Sequence, residues 1–265
     1  MQGVEFIKSQ TGSFCFTILE VSDDLKTVIR ERLSDICNGA AKASRNPKLY
    51  SYQKTLASFF TKFDRKAPDT QKGIIGELLT HILFLHYEKE FRAASPHFNL
   101  EEDSIKKGFD LVLHHNSSDQ IWFVEVKAGE CGDQTSKDKL GSLLSLAKNG
   151  LKAALNSDRN TLWQNAINGA TVVIKENRLK DQLETLLETF NEKAIAGRSK
   201  SADYNAILVA VSYTEGKAFA TGGDFEIKHQ TQKSMNEFNE LMSIALQKDT
   251  FQSIADFLRG EIQSV

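Results

Sequence analysis

The sequence predicts one mixed α/β domain in which helices flank a central sheet. Residues 205–213, NAILVAVSY, form a continuous apolar run, which is typical of a strand buried on both faces. Residues 108–115 and 120–128 are strand-like and are joined by NSSD, a sequence typical of turns, so they predict an antiparallel hairpin. Leucines at helical spacing over 136–155 predict a helix directly after the hairpin.

The chain before the hairpin is predicted to contain one strand and then helices. In order, these are a strand at 14–20 and helices at 23–41, 48–63 and about 71–90. The last helix is apolar around most of its circumference, which indicates burial against other elements. In the preceding APDT, Asp69 and Thr70 are the N-cap candidates.

The chain after the hairpin alternates between helices and short apolar segments. Thr135 and Asp138 have capping-box spacing at the start of the helix 136–155. The later predictions are a short strand in ATVVIK ending near 175, an amphipathic helix through 179–190, the strand 205–213, a turn at 221–224, and helices at about 232–247 and 250–262.

Composition narrows the class of function. The formal net charge of the 265 residues is −2, so no overall positive field attracts the chain to nucleic acid. A nucleic-acid enzyme of this charge needs a local basic surface or a partner that delivers the substrate.

Cysteine usage and hydropathy predict a soluble cytoplasmic protein. The three cysteines are widely spaced and form no C-x-x-C pair, which argues against a disulfide framework and a structural zinc site. The first residues lack the apolar core of a signal peptide. The most apolar helix is too short to cross a membrane, and it contains Glu77 and His81.

Charged residues interrupt both strands of the predicted hairpin. Asp110 lies in the first strand, and Glu125 and Lys127 lie in the second. Because side chains alternate across a strand, Glu125 and Lys127 point to the same face, one strand step apart. Asp110 comes alongside them if the hairpin register places it there. Two carboxylates that approach each other repel unless a cation lies between them.

These carboxylates form a hard-oxygen donor set that suits Mg²⁺, which takes one or two carboxylates together with water and substrate phosphate. The backbone carbonyl of Val126 lies between Glu125 and Lys127 and is a further candidate ligand. A bound metal lowers the pKa of a water ligand and neutralises charge on a phosphate. Lys127 would orient the attacking water or stabilise the transition state.

An acidic residue on one strand followed by E-x-K on the next resembles the PD-(D/E)xK nuclease superfamily. This resemblance implies a restriction-endonuclease-like core, α-β-β-β-α-β, and hydrolysis of phosphodiesters with Mg²⁺, for which Mn²⁺ can substitute. It also implies a role for Glu77, in GIIGELLTH, because members often carry a glutamate on the preceding helix. The residue before Asp110 is Phe109, where the superfamily pattern has proline.

The same resemblance implies a domain division. The matching motifs cover about residues 70–215, so we expect a nuclease domain at 67–265 and an N-terminal elaboration at 1–66 that packs on it. The C-terminal residues after the core are a second elaboration.

A narrower resemblance involves GELL, GFDLVL, FVEVKAG and the leucine-rich helix that follows. Together they resemble the nuclease subunit of the Hachiman anti-phage system, the HamA or DUF1837 type. The resemblance implies DNA as the substrate and a superfamily 2 helicase as the partner, and a helicase that engages the DNA would explain the near-neutral charge. Candidate contacts to the DNA backbone are Lys137, Lys139, Arg198 and Lys200.

Each site residue also has an explanation that involves no chemistry. Glu125 and Lys127 would form a weak surface pair on a solvated edge strand, Asp110 would be an ordinary turn-proximal aspartate, and Glu77 would face solvent. At the level of function, the alternatives are a stand-alone restriction- or repair-type endonuclease, and an inactive nuclease fold that serves as a DNA-binding or assembly module.

Overall fold

The computed structural model describes residues 1–97 and 108–263. Seven strands in these ranges form one mixed sheet, in the order β1-β2-β7-β6-β5-β4-β3. The strands are β1 (Val4–Lys8), β2 (Ser13–Ile18), β3 (Phe91–Ala93), β4 (Leu111–His115), β5 (Gln120–Glu130), β6 (Asn205–Tyr213) and β7 (Leu241–Lys248). The predicted mixed α/β fold with a helix-flanked central sheet is therefore confirmed.

The sheet is parallel in its centre and antiparallel at both edges. Strands β2, β7, β6 and β5 pair in parallel. The pairs β1–β2, β3–β4 and β4–β5 are antiparallel. The predicted hairpin is thus present as β4–β5, and β6 is the buried interior strand that its apolar sequence predicts, since every residue of it is buried.

Nine helices of the described ranges cover the two faces of this sheet. They are α1 (Asp23–Asn38), α2 (Ala40–Arg45), α3 (Tyr52–Phe63), α4 (Pro68–Tyr87), α5 (Ser136–Leu155), α6 (Asn160–Val173), α7 (Asn177–Ile195), α8 (Gly222–Lys233) and α9 (Gln252–Gln263). Leucines from α1, α3, α4 and α9 pack on one face, and the buried side chains of α5, α6, α7 and α8 pack on the other.

Side-chain alternation along β5 follows this layering. Trp122, Val124 and Val126 join the core on the α4 side, whereas Ile121 and Phe123 join the core on the α5 side. Glu125 and Lys127 continue the second series, so they face α5. The leucine-rich face of α5 is buried against this side of the sheet, as its spacing predicts.

Several predicted elements differ from the structure. The predicted helix at 232–247 is wrong, because Leu241–Lys248 forms β7, an interior strand between β2 and β6. The predicted strand in ATVVIK is also wrong, since these residues end α6 at Val173. The predicted turn at 221–224 is instead the capped start of α8.

The N-cap prediction for α4 is wrong as well. Ala67 is the N-cap, and Pro68 occupies the first turn, where its missing N–H costs no hydrogen bond. By contrast, the Thr135 side chain accepts a hydrogen bond from the Asp138 amide at the start of α5, as predicted.

The first 66 residues contribute β1 and β2 to the same sheet that contains β4, β5 and β6. The division into 1–66 and 67–265 remains a prediction. Residues 98–107, which fall inside the predicted core 70–215, and residues 264–265 lie outside the described residues. Among the residues that the structure describes, no helix is long and apolar enough to cross a membrane.

Candidate active site

Asp110 lies at the point where β4 has not yet begun to pair with β5. The antiparallel register starts at Leu111, opposite Val124. The Oδ2 atom of Asp110 accepts a hydrogen bond from the Val126 amide at 2.7 Å. A side chain thus continues the ladder by one step, and it holds the Asp110 carboxylate beside β5, at the level of Glu125 and Lys127.

The Val126 carbonyl points toward the same gap. In an extended strand, the N–H and C=O of one residue point to the same side, which is why paired antiparallel residues exchange both bonds. Because the Val126 amide points to Asp110, its carbonyl also faces the side on which β4 has ended. The backbone oxygen predicted as a ligand therefore lies on the same side of β5 as the Asp110 carboxylate.

Glu125 and Lys127 form a close ion pair. The Nζ atom of Lys127 lies 2.6 Å from Oε1 of Glu125, and the side chains are 37% and 14% exposed. Glu125 and Lys127 therefore do not form the weak surface pair on a solvated edge strand that was the alternative explanation for them. A mostly buried carboxylate needs a partner because burial disfavours its charged form.

The charges of three carboxylates act on this pair. The pKa of Glu125 is raised to about 7. Burial is the largest cause, the charge of Asp110 also raises this pKa, and Lys127 acts to lower it. Burial acts to lower the pKa of Lys127, but the carboxylates of Glu125, Asp110 and Glu77 outweigh it and raise this pKa. The Lys127 ammonium therefore interacts with the charges of three carboxylates, those of Glu125, Asp110 and Glu77.

Glu77 acts on this cluster through its charge, from the helix on the opposite face of the sheet. It lies on α4, whose apolar residues pack with Val124 and Val126, yet its charge contributes to the raised pKa of Lys127. Its side chain is 17% exposed, and Oε2 lies 3.7 Å from Nδ1 of the buried His97. Glu77 is therefore held among other groups and does not simply point to solvent.

Helix α5 passes directly against Glu125 at Gly150. A Cβ atom at Gly150 would lie 2.9 Å from Oε1 of Glu125, closer than side-chain atoms normally approach. Only glycine fits there without displacing the carboxylate. Sequence reasoning missed Gly150. Its signal is a glycine inside a leucine-rich helix, where it costs about 1 kcal/mol relative to alanine.

Sequence reasoning also missed His97 and Arg159. Arg159, at the start of α6, is exposed, and its charge lowers the pKa of Glu125. His97 is a neighbour of Glu77. Neither position carries a sequence signal, because both contacts join segments that are distant along the chain.

The four candidate DNA contacts do not form one cluster. Lys139 folds over Gly129 on β5, since a Cβ at Gly129 would lie 3.2 Å from its Nζ. Gly129 is on the same strand face as Lys127, one step further along. Lys137 instead forms an ion pair with Asp224 at 2.8 Å. Lys139 thus lies beside β5 one strand step beyond Lys127.

Arg198 and Lys200 lie at the other end of α5. Both are exposed, in the segment between α7 and β6. This segment is tied to the C-terminus of α5, where the Ser199 hydroxyl donates to the Leu155 carbonyl and the Ser201 amide donates to Asn156 Oδ1. Lys139 and Leu155 are sixteen positions apart along α5, which corresponds to about 24 Å.

The donor set fits a magnesium ion that relies on substrate and water for most of its ligands. In the described ranges, no group of three or more histidines, cysteines, aspartates or glutamates is arranged to hold a metal. A closed protein cage is therefore absent from residues 1–97 and 108–263. Mg²⁺ commonly binds through one or two carboxylates plus water and phosphate oxygens, which is what Asp110, Glu125 and the Val126 carbonyl offer.

Comparison with known proteins identifies a family. The HamA family model matches residues 5–257, from within β1 to within α9, and this range includes every candidate site residue. A search of curated proteins gave no match to this chain.

Proposed function

Because the chain belongs to the HamA family, which points to anti-phage defence, we propose that it is a Mg²⁺-dependent deoxyribonuclease. We further propose that it works as the nuclease subunit of a complex with a superfamily 2 helicase. The observation that carries the proposal is the convergence of Asp110, Glu125 and Lys127 at the open end of the β4–β5 hairpin.

Electrostatics supports a catalytic purpose for this cluster. Burial, and after it the charge of Asp110, raises the pKa of Glu125 to about 7. A protein that serves only as a scaffold gains nothing from placing these two carboxylates close together. Such perturbed groups are common in functional sites. A divalent cation between Asp110 and Glu125 would remove the repulsion that the fold otherwise bears.

Topology supports the restriction-endonuclease-like core. In chain order, α4 carries Glu77, the antiparallel pair β4–β5 carries the acidic residues and the lysine, α5 covers their face, and β6 pairs in parallel with β5. With β3 between α4 and β4, this order agrees with the α-β-β-β-α-β core that the E-x-K resemblance implies, except that α6 and α7 are inserted before β6.

The residues take the following roles in the proposed reaction. Asp110, Glu125 and the Val126 carbonyl would hold Mg²⁺, which supplies an acidified water ligand and neutralises phosphate charge. Lys127 orients the attacking water or stabilises charge on the phosphate, and its bond to Glu125 fixes the position of its ammonium. Glu77 positions metal or water from the α4 side.

The distribution of cations supports a partner that delivers DNA. The net charge is −2. Of the four candidate backbone contacts, Lys137 is paired with Asp224, and Lys139 and the Arg198–Lys200 segment lie at opposite ends of α5. Affinity for the phosphate backbone depends on the number of neutralised phosphates. A helicase subunit that engages the duplex would add affinity for DNA.

A second candidate function is a DNA-binding or assembly module without catalysis. It is favoured by the closed Lys127–Glu125 pair and by the lack, in the described residues, of a three-residue metal cluster. The two functions differ in what Mg²⁺ does: an assembly module gains neither activity nor stability from the ion.

The decisive experiment is DNA cleavage by the purified chain, alone and together with its candidate helicase subunit. Supercoiled and linear DNA are incubated with Mg²⁺ or with EDTA. Glu125→Gln is compared with Glu130→Gln, a matched control on the same strand whose carboxylate instead pairs with Lys72 at 2.7 Å.

We expect Mg²⁺-dependent DNA loss that Glu125→Gln abolishes and Glu130→Gln retains. Cleavage only in the presence of the helicase supports the subunit function, whereas full activity of the chain alone favours a stand-alone endonuclease. If wild type and Glu125→Gln behave alike in every condition, the nuclease proposal fails and the assembly module replaces it.

A further inference from the structure

A cavity of about 430 Å³ lies between α1, α4, β3 and the junction of α6 with α7. This volume is within the range of small-molecule sites. Asp110, Glu125, Lys127 and Glu77 do not line it, so it is separate from the candidate active site. Its lining consists of an apolar floor and a charged rim.

The floor is formed by buried apolar side chains. Ile82 from α4, Phe91 from β3 and Ile174 after α6 line the cavity and are 2%, 6% and 4% exposed. A surface of this kind favours the apolar or aromatic part of a ligand, because binding removes it from water. An inorganic ion alone would make no apolar contact with these floor residues.

The rim is rich in cations. The cavity is lined by four basic side chains and two carboxylates, which are Arg32, Lys89, Arg92 and Lys175, and Asp35 and Glu176. This excess contrasts with the whole chain, which has 33 lysines and arginines against 35 aspartates and glutamates. The rim is therefore a local positive region on a slightly negative protein.

Most of these cations are not neutralised by neighbours. Arg92 contacts Glu176 at 3.4 Å. In the part of the chain that the structure describes, Arg32, Lys89 and Lys175 form no ion pair, and all three are exposed at the cavity mouth. They are therefore available to an anionic ligand, to which charge-assisted hydrogen bonds are about twice as strong as neutral ones.

The positive field extends into the cavity. His86 lines it, and its pKa is lowered first by burial and then by the charges of Lys89, the N-terminal amino group and Arg32. Several cations thus act together on one point inside the cavity, which is the arrangement that an anion would neutralise.

We propose that this cavity binds a small organic phosphate with a ring-shaped apolar body, the class to which nucleoside monophosphates belong. The phosphate lies among Arg32, Lys89 and Lys175 at the rim, and the base lies against Phe91 and Ile174 on the floor. A free mononucleotide and the 5′-terminal nucleotide of a DNA strand both carry this chemistry.

The test is isothermal titration calorimetry with the full chain. The titration is done in EDTA, so that no metal binds at the candidate active site. The result therefore does not depend on whether the proposed nuclease function is correct. The ligands are AMP, CMP, adenosine, inorganic phosphate, and a tetranucleotide with and without a 5′-phosphate. We expect a phosphorylated nucleoside to bind more tightly than adenosine or phosphate alone, because only it uses both floor and rim.

Two variants assign the binding to this cavity. Lys89→Glu/Lys175→Glu should weaken it at least about tenfold, as expected for the loss of hydrogen bonds to a charged group. Ala40→Leu, which fills space at the lining without changing charge, should weaken it too. Lys193→Glu is the matched control, since Lys193 is an exposed lysine on α7 outside the lining.

The tetranucleotide identifies the source of the phosphate. Binding of AMP or CMP without binding of the 5′-phosphorylated tetranucleotide indicates a free nucleotide, and the reverse indicates a strand end. The proposal is overturned if neither kind of ligand binds wild type at millimolar concentration. It is equally overturned if Lys193→Glu weakens binding as much as the double variant, or if both cavity variants, folded by circular dichroism, bind like wild type.

Discussion

The carboxylate of Asp110 accepts the amide hydrogen of Val126 at 2.7 Å, one step beyond the last residue pair of β4 and β5. This bond gives Asp110 a structural contribution that is separable from its proposed chemistry. Asparagine retains an oxygen that accepts the Val126 amide, whereas alanine leaves the amide without that partner.

We therefore expect Asp110→Asn and Asp110→Ala to differ in stability but not in activity. Both should lose about a hundredfold or more in DNA cleavage, because each removes a metal-binding carboxylate. Only Asp110→Ala should also lose about 1 kcal/mol in free energy of unfolding. Cleavage rates and urea denaturation measure the two effects. Equal cleavage by Asp110→Asn and wild type would contradict the proposed role.

Gly150→Ala tests the close approach of α5 to Glu125. The added Cβ would lie 2.9 Å from Glu125 Oε1, so the carboxylate must move and its bond to Lys127 must change. We expect at least about tenfold slower cleavage from this misplacement, while helix propensity offsets part of the steric cost to stability. Thermal denaturation alongside cleavage separates the two.

The control for Gly150→Ala is Gly73→Ala on α4. A Cβ at Gly73 would meet nothing within 4 Å, so this variant should raise the free energy of unfolding by up to about 1 kcal/mol and leave cleavage unchanged. If Gly150→Ala cleaves DNA as fast as Gly73→Ala, the cleavage rate does not depend on the exact position of the Glu125 carboxylate.

Binding of Mg²⁺ should stabilise the fold through Asp110 and Glu125. A ligand at about ten times its Kd raises the free energy of unfolding by about 1.4 kcal/mol, which corresponds to a melting temperature higher by a few degrees for a chain of this size. Differential scanning fluorimetry with Mg²⁺, Mn²⁺ and EDTA measures it. The shift should vanish in Asp110→Asn and persist in Glu130→Gln; an equal shift in all three would place the metal elsewhere.

Glu226 predicts a pH dependence of stability far from the candidate site. Burial acts to raise its pKa, but hydrogen bonds from Ser13, Thr11 and Gln230 outweigh burial and lower the pKa from 4.5 to about 2. Since the folded pKa is the lower one, the stabilisation is present above pH 4.5 and is lost as the pH falls toward 2.

Glu226→Gln should therefore be less stable than wild type at pH 7, by on the order of 1 kcal/mol after allowance for solvent screening. The difference should shrink as the pH falls from 4.5 to 2. Urea denaturation across this range measures it, with the exposed Glu240→Gln as control. A difference that stays constant with pH would mean that Glu226 acts through packing alone.

The three cysteines should be unreactive in the native protein. Cys15, Cys37 and Cys131 are buried, and burial raises the pKa of the Cys15 thiol to about 11, so little thiolate forms at neutral pH. A chromogenic thiol reagent should label none of them until denaturant is added, and then all three. Rapid labelling of native protein would show that one of them is accessible.

Local pattern was sufficient for α5 and β6. Ser136–Leu155 and Asn205–Tyr213 begin and end where the sequence predicts, because leucine periodicity and a continuous apolar run are strong signals. Strand β7 was missed since LMSIALQK is rich in good helix formers. Its position between β2 and β6 overrides that propensity.

The candidate site was predictable to the extent that it depends on strand alternation. The shared face of Glu125 and Lys127 follows from the period of a strand, and the hairpin brings Asp110 beside them. The relation of Gly150, His97 and Arg159 to Glu125 or Glu77 could not be predicted, because it depends on how helices pack across the sheet; only the glycine inside a leucine-rich helix was a signal, and it did not indicate Glu125. Such contacts have no local pattern.

The parallel pairing of β2 with β7 has a consequence for biosynthesis. Ser13 pairs with Ser243, and Ile18 with Lys248, so β2 leaves the ribosome long before its partner β7 has been synthesised. The sheet cannot be completed during translation until residue 248 has emerged, and a contact of such long sequence separation forms slowly. A ribosome that stalls before that residue releases a chain with two unpaired strand edges, at β2 and β6, which are ready substrates for aggregation and proteolysis.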